Sequence, residues 1–354
     1  MAAEQRMKVN IPGHAYDIII GHGVLAQAAQ YIDLKRKVLI VTDEGVPAQY
    51  AEILQQQCQQ AYVARVQQGE GAKSFAVYEA LCRQLLEYHF SRQDLVIALG
   101  GGVMGDLAGF VAASYMRGID FVNIPTTTLS QIDSSIGGKV AINLAGVKNI
   151  IGAFYQPQMV LIDLDTLSTL SQRHYHNGLV EAVKSGLIYD ESLFQLFEQL
   201  SLAELEEKID TVITKSLAVK RSVVEQDEKE QGLRKILNFG HTLGHGIESA
   251  YGLQGLLHGE AVALGMLLVL ENQTLKQRLQ KVLEKLEIPT QMSYDVETVF
   301  AAVSHDKKAK GGSVTLVQVP EAGKAVLQEV PLPDLKKLLE RGLTTAAEEA
   351  GRQQ

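Results

Sequence analysis

The chain has 354 residues, of which 46% are hydrophobic and 21% charged, and this composition excludes a disordered or fibrous protein. Its net charge of −8 argues against the basic surface that nucleic acid requires, so we expect no nucleic-acid partner. The two cysteines exclude a disulfide framework, the first residues show no apolar signal core, and no apolar run reaches the ~20 residues that span a bilayer. We therefore expect a cytoplasmic protein with no membrane partner.

The first half of the chain alternates short apolar segments with amphipathic ones. Continuous hydrophobicity and β-branched residues predict strands buried on both faces at 37–42, 61–66, 94–99 and 120–125. Between them, residues 74–90 carry an apolar stripe behind Ser74, a residue type that caps helices. Segments 7–12 and 16–21 predict an antiparallel hairpin at the edge of the sheet. The alternation indicates a Rossmann-like α/β domain with a parallel sheet.

The second half of the chain is mainly helical in pattern. Helices are predicted at 175–189, 209–229, 233–250, 258–273 and 276–286. A short β signal returns at 313–319 and 325–330, and a last helix is predicted from Pro333. We therefore predict an α/β domain over residues 1–174 and a mainly α-helical domain over residues 175–354, in line with roughly 150 residues per domain.

A glycine-rich run follows the predicted strand 94–99 and opens a predicted helix. It reads GGGVMGD over residues 100–106 and matches the G-x-G-x-x-G pattern in its strand-to-helix context. Glycines let the backbone approach a pyrophosphate, which the N–H groups at a helix N-terminus attract. The alternative is a tight turn without a ligand. Because the run lies after several strands, we expect a variant of the usual nucleotide-binding fold.

Two further glycine-rich turns carry lysines. They are GGK, ending at Lys139, and GVKN, which contains Lys148 and Asn149. Flexible backbone beside point charges is typical of an anion site, whereas the alternative is two solvated turns. Other basic and polar residues lie near the motifs of the second half, and each alone is explained equally well as a solvated side chain: Lys184, Lys220, Arg234, Asn238, Lys307 and Lys308.

Three histidines cluster in the second half. His241 and His245 share one helix face, and His258 follows after a short loop. Such clusters bind divalent metals, although a single histidine is more often a core or helix-end residue. A carboxylate would complete the site, and spacing leaves three candidates open: Glu181, Glu248 and Glu260. A nucleotide site, an anion site and a metal together suggest oxidation of an alcohol on an anionic substrate.

At these motifs the chain resembles the 3-dehydroquinate synthase family, within the sugar phosphate cyclase superfamily. The matching stretches run in family order: GEGAKS (69–74), GGGVMGDLAGFVAASYMRG (100–118), IPTTTLSQIDSSIGGKVAIN (124–143), GVKNIIGAFYQP (146–157), GLVEAVKSGLI (178–188), DEKEQGLRKILNFGHTLGHGIE (227–248) and HGEAVALGM (258–266). The resemblance implies an N-terminal domain that binds NAD and a helical C-terminal domain that binds one divalent metal, zinc or cobalt.

The resemblance also implies site residues. The metal ligands would be Glu181, His241 and His258, with His245 facing the substrate instead. The NAD contacts would be Asp43, Glu70, Lys73, Gly101, Gly102, Val103, Met104, Gly105, Asp106, Thr126, Thr127, Lys139, Lys148, Thr166, Leu167, Ser168 and Thr169. Asp43 would meet the adenosine ribose, whereas the general rule of an acid about 20 residues after the glycines points to Asp120.

The substrate that the resemblance implies is 3-deoxy-D-arabino-heptulosonate 7-phosphate, a small sugar-acid phosphate. Its phosphate would be bound by Lys139, Asn149, Asn238 and one of Lys307 or Lys308. Arg117 would reach the phosphate of a neighbouring subunit, which implies a homodimer. Lys220 and Arg234 would bind the carboxylate, Lys184 a ring hydroxyl, and Asp133 and Glu230 would orient these groups.

The reaction implied is a carbon–oxygen lyase step of the shikimate pathway. Transient oxidation by NAD is followed by β-elimination of phosphate, re-reduction and intramolecular aldol closure. The chain departs from the family pattern at GEGAKS, which lacks a second basic residue, and at His174, where a glutamate is common. Two alternatives are a related cyclase, such as 2-deoxy-scyllo-inosose synthase, and a metal-dependent polyol dehydrogenase, which would release NADH.

Overall fold

The computed structural model describes residues 4–251, 255–304 and 312–341. The chain divides into two compact units, Met1–Ser171 with Lys220–Lys229, and Gln172–Val219 with Glu230–Gln354. The sequence pattern places the division at residue 174 and assigns 220–229 to the helical part. Among the described helices, none is both long and apolar enough to cross a membrane.

The N-terminal unit is built on a mostly parallel sheet. Its strands are β1 (Gln5–Ile11), β2 (His14–Gly21), β3 (Lys37–Asp43), β4 (Gln60–Val66), β5 (Leu95–Gly100), β6 (Asp120–Pro125), β7 (Lys139–Leu144), β8 (Val147–Phe154) and β9 (Met159–Asp163). Within the described residues, seven of them form one sheet in the order β1-β2-β9-β6-β5-β3-β4, and β7 pairs with β8 in a separate antiparallel hairpin. β1 is antiparallel to β2, which confirms the predicted edge hairpin, and every other pairing in the large sheet is parallel.

Both faces of this sheet are covered, which explains the unbroken hydrophobicity of its strands. Along β3, Val38 and Ile40 belong to the apolar cluster on one face, whereas Leu39 and Val41 belong to the cluster on the other. The helices of this unit are α1 (Ala48–Gln55), α2 (Phe75–Glu87) and α3 (Gly102–Ser114). Ser74 caps α2 by accepting a hydrogen bond from the N–H of Val77, as the sequence predicts.

The helical unit begins with α4. Its elements are α4 (Gln172–Ile188), α5 (Glu191–Gln199), α6 (Leu202–Glu207), α7 (Ile209–Gln226), α8 (His241–Tyr251), α9 (His258–Val269), α10 (Gln273–Lys285), α11 (Val296–Ser304), the antiparallel strands β10 (Ser313–Glu321) and β11 (Lys324–Pro331), and α12 (332–341). Only the first part of α7 belongs to this unit, since the segment from Lys220 belongs to the other. The Rossmann-like α/β unit and the mainly helical unit confirm the predicted fold class.

One predicted helix is wrong, and three strands were not predicted. The segment 233–250 is not one helix, because Gly240 adopts left-handed backbone (φ +77°) between a 3-10 turn, Leu233–Asn238, and α8. The strands β7, β8 and β9 are absent from the prediction. Most of β8 is exposed and it carries a glycine, so it lacks the apolar signal of a buried strand.

Candidate active site

The glycine-rich loop lies where β5 ends and α3 begins. A Cβ atom on Gly102 would lie 2.9 Å from Ser134 Oγ, and one on Gly105 would lie 3.1 Å from Asn123 Nδ2. At these two glycine positions there is therefore no room for a side chain. Gly101, the N-cap residue of α3, supplies no side-chain hydrogen bond to the helix end. This arrangement suits an anion held by the first N–H groups of α3.

A buried lysine forms an ion pair with Asp106 of α3. Lys73 Nζ lies 2.6 Å from Asp106 Oδ2 and 3.6 Å from Glu70 Oε1, and it also contacts the side-chain oxygen of Asn149. Burial raises the pKa of Asp106 above its ordinary value, although the neighbouring Lys73 opposes this shift. Asn143, which the sequence analysis missed, donates to Glu70 Oε1 over 2.8 Å. The structure thus brings four of the sequence-predicted residues into one polar network.

The two candidate ribose acids lie at opposite edges of the sheet. Asp43 ends β3, the strand next to β5, and so lies at the same carboxyl edge as the glycine-rich loop. It is buried, burial raises its pKa, and its Oδ1 accepts the N–H of Gly45 over 2.8 Å. Asp120 instead begins β6 and pairs with Arg36. Because ligands of parallel α/β sheets bind at the carboxyl edge, the geometry favours Asp43 over Asp120.

The predicted threonines follow the next strands at this carboxyl edge. Thr126 comes directly after β6, and its N–H donates to the carbonyl of Gly100 over 2.9 Å. Thr166 lies in the 3-10 turn Leu164–Thr169 that follows β9, and its hydroxyl donates to the carbonyl of Asp163 over 2.7 Å. Most of the predicted NAD residues therefore line the ends of four neighbouring strands, β9, β6, β5 and β3. The exceptions are Glu70 and Lys73, which follow β4, and Lys139 and Lys148, which lie on the β7–β8 hairpin.

The predicted anion-binding residues of the N-terminal unit differ in exposure. Lys220 is buried, and its Nζ lies 2.8 Å from Asp133 Oδ1 and 2.6 Å from the Asp133 carbonyl oxygen. Lys139 and Lys148, on the β7–β8 hairpin, are exposed. Arg117 is exposed as well and adopts left-handed backbone (φ +66°).

In the helical unit, histidines and a carboxylate gather around one point. One ring nitrogen from each of His241, His245 and His258 lies within 4.8 Å of the others. Glu181 is fully buried, and its Oε1 lies 3.5 Å from His241 Nε2 and 3.3 Å from His258 Nε2. Of the three carboxylates that spacing left open, the structure thus places Glu181 at the histidines. Two sets of three ligand candidates therefore meet here. Both contain His241 and His258, and the third member is either Glu181 or His245.

Three groups of this cluster have shifted pKa values. Burial alone would raise the pKa of Glu181, but Lys184, His241 and His258 lower it well below its ordinary value. Burial and Lys184 lower the pKa of His241 well below its ordinary value, so that its imidazole is neutral. Burial alone would lower the pKa of His258, but Glu181 raises it above its ordinary value, so a metal would have to displace a proton from this ring. The buried oxygens of Glu181 face the ammonium group of Lys184 and the rings of His241 and His258. An ionised carboxylate and imidazoles fit zinc or cobalt.

Close helix packing brings these ligand candidates together. His241 and His258 are the first residues of α8 and α9. A Cβ on Gly244 would lie 2.6 Å from the carbonyl oxygen of Ala261, and one on Gly265 would overlap the carbonyl oxygen of Gly240. Glycines therefore let the two helices touch backbone to backbone, with contacts that run in antiparallel order. At this close approach the rings of His241 and His258 reach one another, with their centroids 5.2 Å apart.

The other predicted residues of the helical unit lie around the 3-10 turn before α8. Arg234 is almost fully buried, and the amide of Asn238 donates to Glu230 Oε1 over 2.5 Å. Lys184 is buried on α4 in an ion pair with Glu181. Lys307 and Lys308 lie outside the described residues, so that their predicted role stays a prediction.

The fold and the two sites define a class, that of enzymes that join a Rossmann-like nucleotide unit to a helical metal-binding unit. A solved structure of 2-deoxy-scyllo-inosose synthase, complexed with carbaglucose-6-phosphate, NAD+ and Co2+, has a TM-score of 0.86 and 26% identity, covering 96% of this chain and 100% of that chain. The 2-epi-5-epi-valiolone synthase of Streptomyces hygroscopicus subsp. jinggangensis 5008, with NAD+ and Zn2+ bound, has a TM-score of 0.85 and 29% identity, covering 94% and 97%.

Sequence similarity narrows this class to one family. The profile of the 3-dehydroquinate synthase N-terminal region matches residues 63–177, and that of the C-terminal region matches residues 178–309. The 3-dehydroquinate synthase of Streptococcus thermophilus (strain ATCC BAA-491 / LMD-9) is 40% identical over 95% of this chain and 100% of its own length. That of Lactococcus lactis subsp. cremoris (strain MG1363) is equally similar. The chain belongs to the 3-dehydroquinate synthase family, which confirms the resemblance.

Proposed function

We propose that this chain converts 3-deoxy-D-arabino-heptulosonate 7-phosphate to 3-dehydroquinate and phosphate, as a carbon–oxygen lyase that depends on NAD and a divalent metal. The observation that carries the proposal is the match to both regions of the family across both units. The NAD and cobalt or zinc named for the two solved cyclases support the cofactors. The polar networks described above supply the groups that the reaction needs.

In the helical unit, Glu181, His241 and His258 would hold the metal. A bound divalent cation supplies Lewis acidity toward an alcohol or carbonyl oxygen. The lowered pKa values of Glu181 and His241 keep both groups in their ligating forms. Lys184, buried beside Glu181, is suited to donate from Nζ to a substrate hydroxyl, and His245 is the remaining ring of the cluster that can face the substrate.

In the N-terminal unit, the loop before α3 would hold the pyrophosphate of NAD and Asp43 the adenosine ribose. Reversible hydride transfer is the chemistry that NAD supplies when bound. Lys73 is fixed between Asp106 and Glu70, so its ammonium group is already oriented near the N-terminal part of α3. Preorganised groups of this kind bind a ligand with less loss of conformational entropy.

Charged and amide side chains would bind the two acidic groups of the substrate. Lys139 and Asn149 of the N-terminal unit, and Asn238 of the helical unit, are proposed to bind phosphate. Lys220 and Arg234 are proposed to bind the carboxylate. Both of these cations are buried, and a buried cation interacts strongly with an anion because little water screens the pair.

We also infer a homodimer, in which Arg117 serves the neighbouring subunit. Arg117 and the preceding Met116 are both exposed, and both adopt left-handed backbone, at φ +66° and +50°. Left-handed backbone is uncommon outside glycine and is usually retained for a specific purpose. Here the left-handed backbone lies at the exposed surface, where a neighbouring subunit would meet Arg117.

The substrate assignment is tested by comparing two phosphates with the zinc-loaded enzyme and NAD. We expect phosphate release from the heptulosonate phosphate, and little from a hexose phosphate, which lacks the carboxylate that Lys220 and Arg234 would bind. The opposite preference would assign the chain to a cyclase of the kind that makes 2-deoxy-scyllo-inosose. Release of inorganic phosphate, followed over time, measures both reactions.

A further inference from the structure

One face of α4 carries three polar side chains at intervals of four residues. They are Arg173, Asn177 and Glu181, and residues with this spacing lie above one another on a helix. Glu181 lies at the histidine cluster. The other two residues contact the N-terminus of α9, the helix that begins with His258.

Asn177 caps α9 from a neighbouring helix. Its buried Oδ1 accepts the N–H of Gly259 over 2.7 Å and that of Glu260 over 3.3 Å. These N–H groups belong to the first turn of a helix, where no intrahelical acceptor is available. A Cβ on Gly259 would overlap the carbonyl oxygen of Asn177 and lie 2.8 Å from its Oδ1. The glycine after His258 therefore lets the two helices approach.

Arg173 holds the same turn through a buried carboxylate. Arg173 Nε lies 2.7 Å from Glu260 Oε1, and Nη2 lies 2.8 Å from Oε2. Glu260 Oε2 also accepts the N–H of Leu257 over 2.8 Å, and Arg173 Nη2 donates to the carbonyl of Gly255 over 2.9 Å. A bidentate pair of this kind fixes direction as well as distance.

The residues that precede and follow His258 in the chain are both held by hydrogen bonds. The N–H of Leu257 is bound by Glu260, and the N–H of Gly259 by Asn177. Between these anchors, the His258 ring reaches Glu181 Oε1. Side chains that orient a metal ligand without touching the metal affect its affinity because ligand geometry allows little error.

We propose that Arg173 and Asn177 are positioning residues, which hold the first turn of α9 so that His258 faces Glu181. The proposal rests on the proposed function, since it takes Glu181 and His258 as metal ligands. It also gives Glu260 a role other than that of a ligand, because both of its oxygens are held by Arg173 and by the N–H of Leu257.

The test uses Arg173→Ala, Arg173→Lys and Asn177→Ala in the full chain. Arg278→Ala is the matched control, because Arg278 forms an equivalent bidentate pair with Glu198, at 2.7 and 2.8 Å, between α10 and α5 of the same unit. Zinc affinity is measured by competition with a chromogenic chelator, and the visible spectrum of the Co2+-loaded protein reports the ligand geometry. Thermal unfolding of the metal-free variants, followed by circular dichroism, verifies that they are folded.

We expect Arg173→Ala and Asn177→Ala to weaken zinc binding by about 10- to 100-fold and to change the Co2+ spectrum. Arg173→Lys should fall between Arg173→Ala and the unchanged protein, because lysine cannot form the bidentate pair. Arg278→Ala should bind zinc with unchanged affinity. Arg173 is more than half exposed, so that its variants should fold even if Asn177→Ala does not.

Unchanged zinc affinity and an unchanged Co2+ spectrum in Arg173→Ala would overturn the inference. So would an equal loss of affinity in Arg278→Ala, since that would reflect general stability. Failure of the proposed function looks different: the unchanged protein would bind zinc yet release no phosphate, and the ranking of zinc affinities among the variants would stand.

Discussion

The two candidate sites of this chain are built by opposite means. In the N-terminal unit, backbone at the carboxyl edge of a parallel sheet forms the site, and glycines keep side chains away from it. In the helical unit, side chains from three helices form the site, and backbone contact between α8 and α9 brings them together. The glycine-rich loop of the first site lies in one short stretch of sequence, whereas the ligand candidates of the second site come from three separate helices.

The two sites should respond differently to mutation. A backbone site should tolerate changes of nearby side chains and fail when a Cβ is added, whereas a side-chain site should fail when a ligand is truncated. Each site should also fail alone, since its residues lie within its own unit. The variants below test that separation, from the largest expected effect to the smallest.

His258→Ala should remove metal and activity together. A metal contributes several kcal/mol of transition-state stabilisation, and about 4 kcal/mol corresponds to roughly a thousandfold loss of turnover. Elemental analysis of the purified variant and its rate of phosphate release measure the two effects, and NAD affinity should be unchanged. Full metal content in this variant would show that His258 is not a ligand.

Gly102→Val should weaken NAD binding by tenfold or more, about 1.4 kcal/mol, and leave zinc affinity unchanged. The first added carbon would already lie 2.9 Å from Ser134 Oγ, and the branched side chain would stand where the pyrophosphate must approach. Titration with NAD measures the loss. Gly71→Val is the matched control, because Gly71 is exposed with nothing within 4 Å of an added Cβ. Equal losses in both variants would contradict this interpretation of the loop.

Arg234→Ala should reduce kcat/KM for the heptulosonate phosphate by about 10- to 100-fold. Hydrogen bonds to charged groups contribute about 1.5–3 kcal/mol, and Arg234 is almost fully buried. Circular dichroism first establishes that the variant folds. Wild-type turnover at low substrate concentration would exclude Arg234 as the carboxylate partner, whereas NAD and zinc affinity should not change in either case.

Asp190→Ala should lower stability by about 1 kcal/mol without changing zinc affinity. Asp190 caps α5 by accepting from the N–H of Ser192. Burial alone would raise its pKa, but Ser192 and Lys215 lower it below its ordinary value. The stabilisation is therefore complete above the unfolded-state pKa, about 3.9, and is lost as pH falls through the lower folded-state pKa. Urea unfolding at neutral and acidic pH measures it. A difference that persists at the acidic end would contradict the assignment.

How far the sequence predicts the fold depends on where each element is buried. Strands β3, β5 and β6 could be predicted because they are buried on both faces. The strand β4 lies at the edge of the sheet and is mostly only partly buried, so the expectation that it is buried on both faces was wrong. Each of the four predicted segments lies within one residue of the observed strand. The hairpin β7–β8 has no such signal because its outer strand is largely exposed. The helical pattern of residues 233–250 continues through Gly240, although the helix begins only after it. The break could not be predicted because helical periodicity carries no information about left-handed backbone.

In the two sites, too, local patterns could be predicted from the sequence, whereas contacts between distant segments could not. The glycine-rich loop and the histidine cluster could be found from spacing alone, whereas the choice of Glu181 over Glu248 and Glu260 could not, because it depends on how α4 packs against α8 and α9. The contact of Asn177 with Gly259 is likewise tertiary. The sequence signal for this contact was Gly259, between His258 and Glu260 at the start of α9. Its role can be recognised only from the position of α4, which carries Asn177.

The central claim is that hydride leaves the substrate and returns to it within one turnover. Phosphate and NADH are therefore to be measured in the same reaction, with zinc-loaded protein, NAD and 3-deoxy-D-arabino-heptulosonate 7-phosphate. We predict phosphate release over many turnovers with no accumulation of NADH. Steady accumulation of NADH with a simple polyol, and no phosphate release from the heptulosonate phosphate, would contradict it and indicate a dehydrogenase.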